Sequence, residues 1–262
     1  VPVQLIFNCI RNSDDKLLQL YLYLKISSSG KLREKELDYE EIKNVMNIKS
    51  LKTIKTYLGE LKRKDWIGYN KKSDNYFIRS FDKVNELENV PSRIAAVFSI
   101  KYFSNFKAWC GAVMYAYLYR RTRWSKFKES TSKLEKANQT QRTAPLFINN
   151  LYKKIGWDFN RNKPEPPYFP IATTGFSKYF KISIGQASKL KKLAYDAGFI
   201  DVRKNYENTS IPLEEKELFK KYGDSNIANK IRVRKGQIVL QSIDTILPRI
   251  TLSKRKKRKT YS

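Results

Sequence analysis

Histidine is absent from the 262 residues of this chain. That excludes Ser-His-Asp and Cys-His nucleophilic sites, histidine-ligated metal centres and histidine general bases. Cysteine is almost absent: Cys9 and Cys110 are the only two. They are too few for a disulfide framework or a zinc site, both lie in apolar surroundings, and they read as buried small residues suited to a reducing cytosol. No apolar run reaches the roughly 18 residues that span a bilayer; the most apolar one, Ala108–Tyr119, is short and carries several tyrosines. There is no GxxxxGK[ST] phosphate loop and no GxGxxG. No secretory signal precedes the first polar segment, and because the chain opens on Val1 a start further upstream is expected.

The missing histidines also remove the paired-histidine metal motif by which nicking replication enzymes of mobile elements resemble one another. What remains of a nuclease signature is Asp201 with Glu214, Glu215 and Lys216, a set that could hold magnesium. Glu214, Glu215 and Glu217 read instead as the first turn of a helix after Pro212, where acids suit the helix dipole. The expectation is a protein without catalysis, cofactor or metal.

Positive charge is in excess. Lys and Arg number 53 against 25 Asp and Glu, for a net charge of +28, while 41% of residues are hydrophobic. The composition is that of a folded protein. A charge so unbalanced costs stability by self-repulsion, and a polyanion that releases counterions on binding offsets that cost. Nucleic acid is the first such partner and an anionic membrane surface the second.

The stretch Glu40–Phe81 carries the most order. Asp38 is a candidate N-cap, with Glu41 completing a capping box, for a short helix bearing Ile42, Val45 and Met46. A tight turn through Asn47–Lys49 leads to Ser50, placed to cap a second helix. In that helix Leu51, Ile54, Leu58 and Leu61 form one stripe. Lys49, Lys52, Thr53, Thr56, Glu60 and Arg63 lie opposite. Trp66–Tyr69 and Tyr76–Phe81 then read as two strands around a polar turn, Lys71–Asn75.

Helix, turn, helix and basic-tipped hairpin resembles a winged helix-turn-helix. The resemblance implies that Ser50–Arg63 is a recognition helix for the DNA major groove, with Lys71 and Lys72 near phosphates.

A second such pattern spans Thr173–Lys204. Ser183 and Gln186 form a capping box, and Ala187, Leu190, Ala194 and Ala197 an inward stripe. Gly185, Ser188, Lys189, Lys192 and Tyr195 face outward, and the small residues Gly185, Ala187 and Ser188 suit close approach to another backbone or a groove. Gly198-Phe199-Ile200 matches Asp65-Trp66-Ile67 as helix stop and first strand. A second hairpin, Ile231–Arg234 and Ile238–Gln241, turns at Lys235-Gly236, so Arg232, Arg234 and Lys235 are candidate phosphate contacts.

The remaining segments complete the reading. Val3–Ile10 reads as a strand and Ser13 as the cap of the helix through Leu24. Ser27–Lys35 reads as a loop and Asp82–Ser92 as a linker. Ala95–Phe103 reads as a strand repeating the first, and Ser104 as the cap of a helix over Phe106–Tyr119. The common offsets in Phe7–Lys16 and Phe98–Lys107 support a repeated unit. Polar Ser125–Arg142, a short helix in Pro145–Trp157 and proline-dense Asn162–Pro170 form one insert; Asn205–Asn229, with a helix Leu213–Tyr222, forms another. The tail Lys254, Arg255, Lys256, Lys257, Arg258 and Lys259 is six consecutive cations, a disordered phosphate-seeking or solubilising run; in a eukaryotic setting it would read as a nuclear import signal. Most aromatics (Tyr21, Tyr57, Phe98, Phe106, Tyr115) fall on core faces; Tyr195 is the exception, placed to stack on a base.

The expected architecture is mainly α with small β-hairpin wings, an α+β chain of two tandem winged-helix domains. Their bounds are 1–85 and 95–250, joined by a linker at 86–94, with inserts at 125–170 and 205–229 and a tail at 251–262. The expected function is double-stranded DNA binding in a bacterial host cytoplasm, at the nucleoid. The domain order resembles plasmid and phage replication initiators with two winged helices, which need host or separately encoded helicase and primase, and some mobile-element regulators. The alternatives are a packaging protein of a virus-like particle and a single-strand or RNA binder.

Overall fold

The structure, a computed structural model, describes residues 1–91, 93–138, 168–208, 231–234, 237–241 and 243–254. It is an α+β chain of eight helices and small antiparallel sheets among the described residues. No helix among these residues is long and apolar enough to cross a membrane. Two compact units divide the chain: the first takes Val1–Tyr117, Phe176–Ile200 and Pro248–Ser262, the second Leu118–Gly175 and Asp201–Leu247. The 86–94 boundary expected from the sequence falls inside the first unit.

The first unit is built around a helix that water barely reaches. Helix α1 (Val3–Arg11) leads into α2 (Asp15–Ile26), whose residues from Leu17 to Leu24 are all buried. A helix apolar on every side belongs in the centre, and α2 packs on α1, α3 (Tyr39–Met46) and α4 (Leu51–Arg63). Its one buried amide is satisfied: Gln19 Nε2 donates to the Phe103 carbonyl at 2.9 Å and the Val45 carbonyl at 3.3 Å. Strands β1 (Lys31–Arg33), β2 (Ile67–Asn70) and β3 (Asn75–Ile78) form a sheet in the order β1-β3-β2. Helix α5 (Phe81–Leu87) follows, then β4 (Ile94–Ala96) and α6 (Phe106–Asn138).

Helix α7 (Thr173–Phe180) and α8 (Ile184–Asp196) close the helical set. Phe180 packs edge-on against Phe7 at 4.6 Å, and Gln186 Nε2 donates to the Ile10 carbonyl at 3.0 Å. On α6, Gly111 lets the helix approach α8 closely: a Cβ there would lie 3.0 Å from the Leu190 carbonyl oxygen. Gly185, expected to make such an approach, faces open space.

In the second unit, β5 (Phe169–Pro170), β10 (Thr245–Pro248) and β6 (Ile200–Arg203) lie in the order β5-β10-β6. β7 (Tyr206–Asn208), β8 (Ile231–Arg234) and β9 (Gln237–Gln241) lie in the order β7-β9-β8. Among the described residues of this unit Tyr119, Phe169, Ile171, Val239 and Ile246 are buried, Tyr119 edge-on to Phe169 at 5.2 Å.

Several expectations fail for identifiable reasons. Val3–Ile10 is helix, not strand: Leu5-Ile6-Phe7 is an unbroken apolar run that breaks two-residue alternation, and all three are buried. Ser13 is a left-handed turn residue (φ 62°), and Asp14 holds the N-cap position of α2. The Ser27–Lys35 loop contains β1, whose register pairs Lys31 with Phe77. The Asp82–Ser92 linker begins as α5, capped by Ser80, whose hydroxyl accepts from the Lys83 N–H at 3.2 Å; Phe81 belongs to this helix and not to a strand. Of Ala95–Phe103 only the first residues are strand, pairing with β11 (Leu252–Lys254). Asn105, not Ser104, accepts the first helical bond of α6, from Trp109 at 2.9 Å. That helix continues through polar Ser125 to Asn138. The expected helices in 145–157 and 213–222 lie outside the described residues.

Candidate nucleic-acid interface

The two helix pairs are copies of one local structure. α3 and α7 each have 8 residues, α4 and α8 each have 13. Each first helix is stopped by a left-handed residue, Asn47 (φ 50°) or Lys181 (φ 54°). The next N–H reaches back five residues in both: Ile48 to the Lys43 carbonyl at 2.9 Å, Ile182 to the Ser177 carbonyl at 3.1 Å. Each second helix ends likewise, at Asp65 (φ 52°) or Gly198 (φ 70°). Trp66 N–H then reaches the Leu61 carbonyl at 3.0 Å and Phe199 N–H the Ala194 carbonyl at 2.9 Å, the six-to-one bond of a Schellman stop. A four-residue strand with the same burial order follows in both. Repeated backbone bonds of this kind need the same turn geometry twice, which amino-acid composition alone does not produce.

The N-cap positions are as placed by sequence, but neither expected capping box closes, because the Glu41 carboxylate and the Gln186 amide bond to other partners. Asp38 accepts from the Glu41 N–H at 2.9 Å, while the Glu41 carboxylate accepts from the Tyr23 hydroxyl at 2.5 Å. Ser183 accepts from the Gln186 N–H at 3.1 Å. Ser50 holds the N-cap position in an extended conformation, but its hydroxyl makes no capping bond.

Burial fixes which face of α4 is presented. Ile54, Leu58 and Leu61 are buried, each contributing about 1.5–3 kcal/mol. That far exceeds the few tenths by which exposed charges on one helix repel, so the rotation of α4 is set from inside. Leu51, placed in the stripe by spacing, is instead 41% exposed. Lys49, Ser50, Lys52, Lys55, Thr56 and Arg63 are exposed and Thr53 is half-buried. The Thr56 hydroxyl donates to the Lys52 carbonyl at 3.0 Å. Arg63 pairs with Glu60, Nε to Oε2 at 2.9 Å, which lowers the carboxyl pKa of Glu60 and raises that of Arg63. Lys55 was missed; its place three residues after Lys52 is the signal that marks it.

In α8, Ala187, Leu190 and Ala194 are buried and Ala197 is half-buried. Ser183, Gly185, Ser188, Lys189 and Lys192 are exposed, Tyr195 is 54% exposed, and Gln186 is half-buried through its bond to α1. No ion pair with a described residue neutralises Lys49, Lys52, Lys55, Lys189 or Lys192. Neither helix has an acid in its first turn. Lys52, in the first turn of α4, opposes the helix dipole by about 0.3–1 kcal/mol.

Other basic residues are spent internally. Lys64 pairs with Asp14 at 2.8 Å and Glu88 at 3.7 Å. Burial opposes its charge, but the bond to Asp14 and the field of both acids raise its pKa on balance. Glu88 also accepts from the Trp66 indole at 3.0 Å and Asn8 at 2.7 Å. Lys107 pairs with Asp15 at 3.3 Å. Cys9 and Cys110 are buried free thiols, their pKa raised by burial.

The β2–β3 hairpin is fastened to α4 by Lys62, whose ammonium lies 4.4 Å from the Tyr69 ring centroid and 4.9 Å from that of Tyr76. Tyr69 donates to Asp74 in the turn at 2.7 Å, and this bond pushes its pKa to about 12. Lys71 and Lys72 are exposed at the tip.

The chain matches no protein-family model, no curated protein and no solved structure.

Arg232 and Arg234 lie on β8 in the second unit; Lys235 lies outside the described residues. Lys254 is an exposed residue of β11, paired with Ile94 of β4, and so belongs to a sheet rather than a tail. Arg255, Lys256, Lys257, Arg258 and Lys259 lie outside the described residues.

Proposed function

We propose that this chain is a non-catalytic, double-stranded-DNA-binding protein with two winged helix-turn-helix readers. In the first, α3 and α4 carry the reading helix and β2–β3 the wing. In the second, α7 and α8 serve the same purpose. The observation that carries the reading is the outward cationic face in both copies of one helix-turn-helix geometry. On α4, Lys52 stands in the first turn, where the helix dipole disfavours it, and no described acid offsets Lys52 or Lys55. A helix of this diameter fits the major groove, and the net charge of +28 supplies the phosphate attraction.

Lys52, Lys55, Thr56, Ser188, Lys189 and Lys192 approach base edges or phosphates, while Lys71, Lys72 and the basic C-terminal run position without specifying. The biological output is replication initiation or transcription regulation in a mobile element. Competition binding at near-physiological salt tests the reading. A duplex selected from a random pool is expected to bind about 10³-fold or more tighter than random duplex. Equal affinity for all duplexes would refute site-specific reading and leave a packaging role.

A further inference from the structure

Apart from Lys71 and Lys72 at the wing tip, the outer face of the β1-β3-β2 sheet carries chemistry that duplex reading by α4 and α8 does not use. Residues two apart in a strand share a face. Tyr76 and Ile78 are buried, so Phe77 and Arg79 point the other way. Register places Gly68 directly across from Phe77 on one side and Lys31 on the other. Gly68 has no side chain; a Cβ there would sit 3.8 Å from Arg79 Nη2 and 3.9 Å from Phe77 Cβ. No β2 side chain lies on that flank of the ring, which the Arg79 guanidinium borders instead. Lys31 is exposed, its ammonium 5.6 Å from the ring centroid, a loose contact on a flexible stem.

Phe77, Gly68 and Arg79 line an open groove of about 570 Å³, rimmed by exposed Lys71 and Lys72. That volume is within the range of small-ligand clefts. Arg79 gives Nη2 to Asp65 at 2.9 Å, which offsets part of its charge. Its Nε is buried and finds no hydrogen-bond partner among the described residues.

We propose that this sheet face is a second nucleic-acid site, which takes an unpaired base of single-stranded DNA on Phe77 with its phosphate held by Lys71, Lys72 and Arg79. A flat ring in an open groove, bordered by a guanidinium and lysines, meets the two needs of single-strand binding, stacking and backbone charge. A duplex offers no free base face, so the site separates strands from duplex by shape. Lys31 swings from the ring to a neighbouring phosphate when the base arrives.

The test uses the full chain, a ten-nucleotide single strand carrying 2-aminopurine and a duplex competitor. Phe77→Ala is expected to weaken single-strand binding about tenfold and to abolish the fluorescence change of stacking; Phe77→Trp restores both. Gly68→Val, which fills the space beside the ring against the Arg79 guanidinium, weakens it to a similar extent. The ratio of single-strand to duplex affinity falls in Phe77→Ala and Gly68→Val and recovers in Phe77→Trp, and thermal melts show that each variant is folded. Single-strand affinity unchanged in both Phe77→Ala and Gly68→Val would overturn the site, as would no detectable single-strand binding by the unmodified chain. A parallel loss of duplex affinity would assign the face to the duplex interface instead. Failure of duplex reading by α4 shows separately, as random and selected duplexes binding alike.

Discussion

Replacing Lys52, Lys55 and Thr56 together with alanine is expected to lower affinity for the selected duplex by about 2–4 kcal/mol. The three lie on one exposed face of α4. If the two lysines lie against phosphates, each removes about one counterion on binding, and the slope of log K against log salt becomes shallower by about 2. If one contacts a base edge, discrimination at that base pair falls as well. Stability is expected to move by less than about 0.5 kcal/mol, because the residues are exposed. Removing Lys52 from the first turn of α4 acts toward stabilisation. A titration of the variant against selected and random duplexes, at several salt concentrations, separates the two contributions. Unchanged affinity and slope would exclude α4 from the interface.

Gly111→Val is expected to destabilise the chain by about 3 kcal/mol, the upper end for overpacking. The reason is local to the α6–α8 approach. An added Cβ would meet the Leu190 carbonyl oxygen at 3.0 Å and Leu190 Cβ at 3.2 Å. Leu190 is fully buried, so its backbone cannot withdraw cheaply. Gly59 on α4 gives the contrast, since a Cβ there meets nothing within 4 Å. Gly59→Ala is expected to stabilise by about 0.5–1 kcal/mol, the ordinary gain of alanine over glycine in a helix. Urea unfolding followed by helical circular dichroism reads both signs. A neutral Gly111→Val would show that α8 is not held against α6 as described.

The helix pairs were legible because three independent signals coincide in each. The stripe Ile54, Leu58, Leu61 sets the buried face, Ser50 marks the start, and Asp65 before Trp66 marks the stop. The same holds for Ala187, Leu190 and Ala194 between Ser183 and Gly198. Leu51 escaped because spacing assigns a face but not depth: at the first position of α4 the stripe has run past the core. Val3–Ile10 was misread although Gln4, Asn8 and Arg11, at i, i+4 and i+7, give α1 one polar stripe at helical spacing; the short apolar run between them resembles a strand by itself. Lys31–Arg33 is a short polar edge strand, and only its pairing with β3 makes it one. Helix α5 was hidden by its acids and by Pro91, although Ser80 carried the cap signal. The closeness of Gly111 to α8 and the face shared by Lys31, Phe77 and Gly68 depend on partners distant in sequence, which no local pattern contains.

The central claim is that α4 and α8 each present their cationic face to one duplex. Methylation interference at guanine N7, which lies in the major groove, tests it on the selected site. The unmodified chain is expected to show two separate interfering segments, with Lys52→Ala/Lys55→Ala losing one and Lys189→Ala/Lys192→Ala losing the other. A pattern that neither pair of substitutions alters, or that both alter at the same segment, would contradict it.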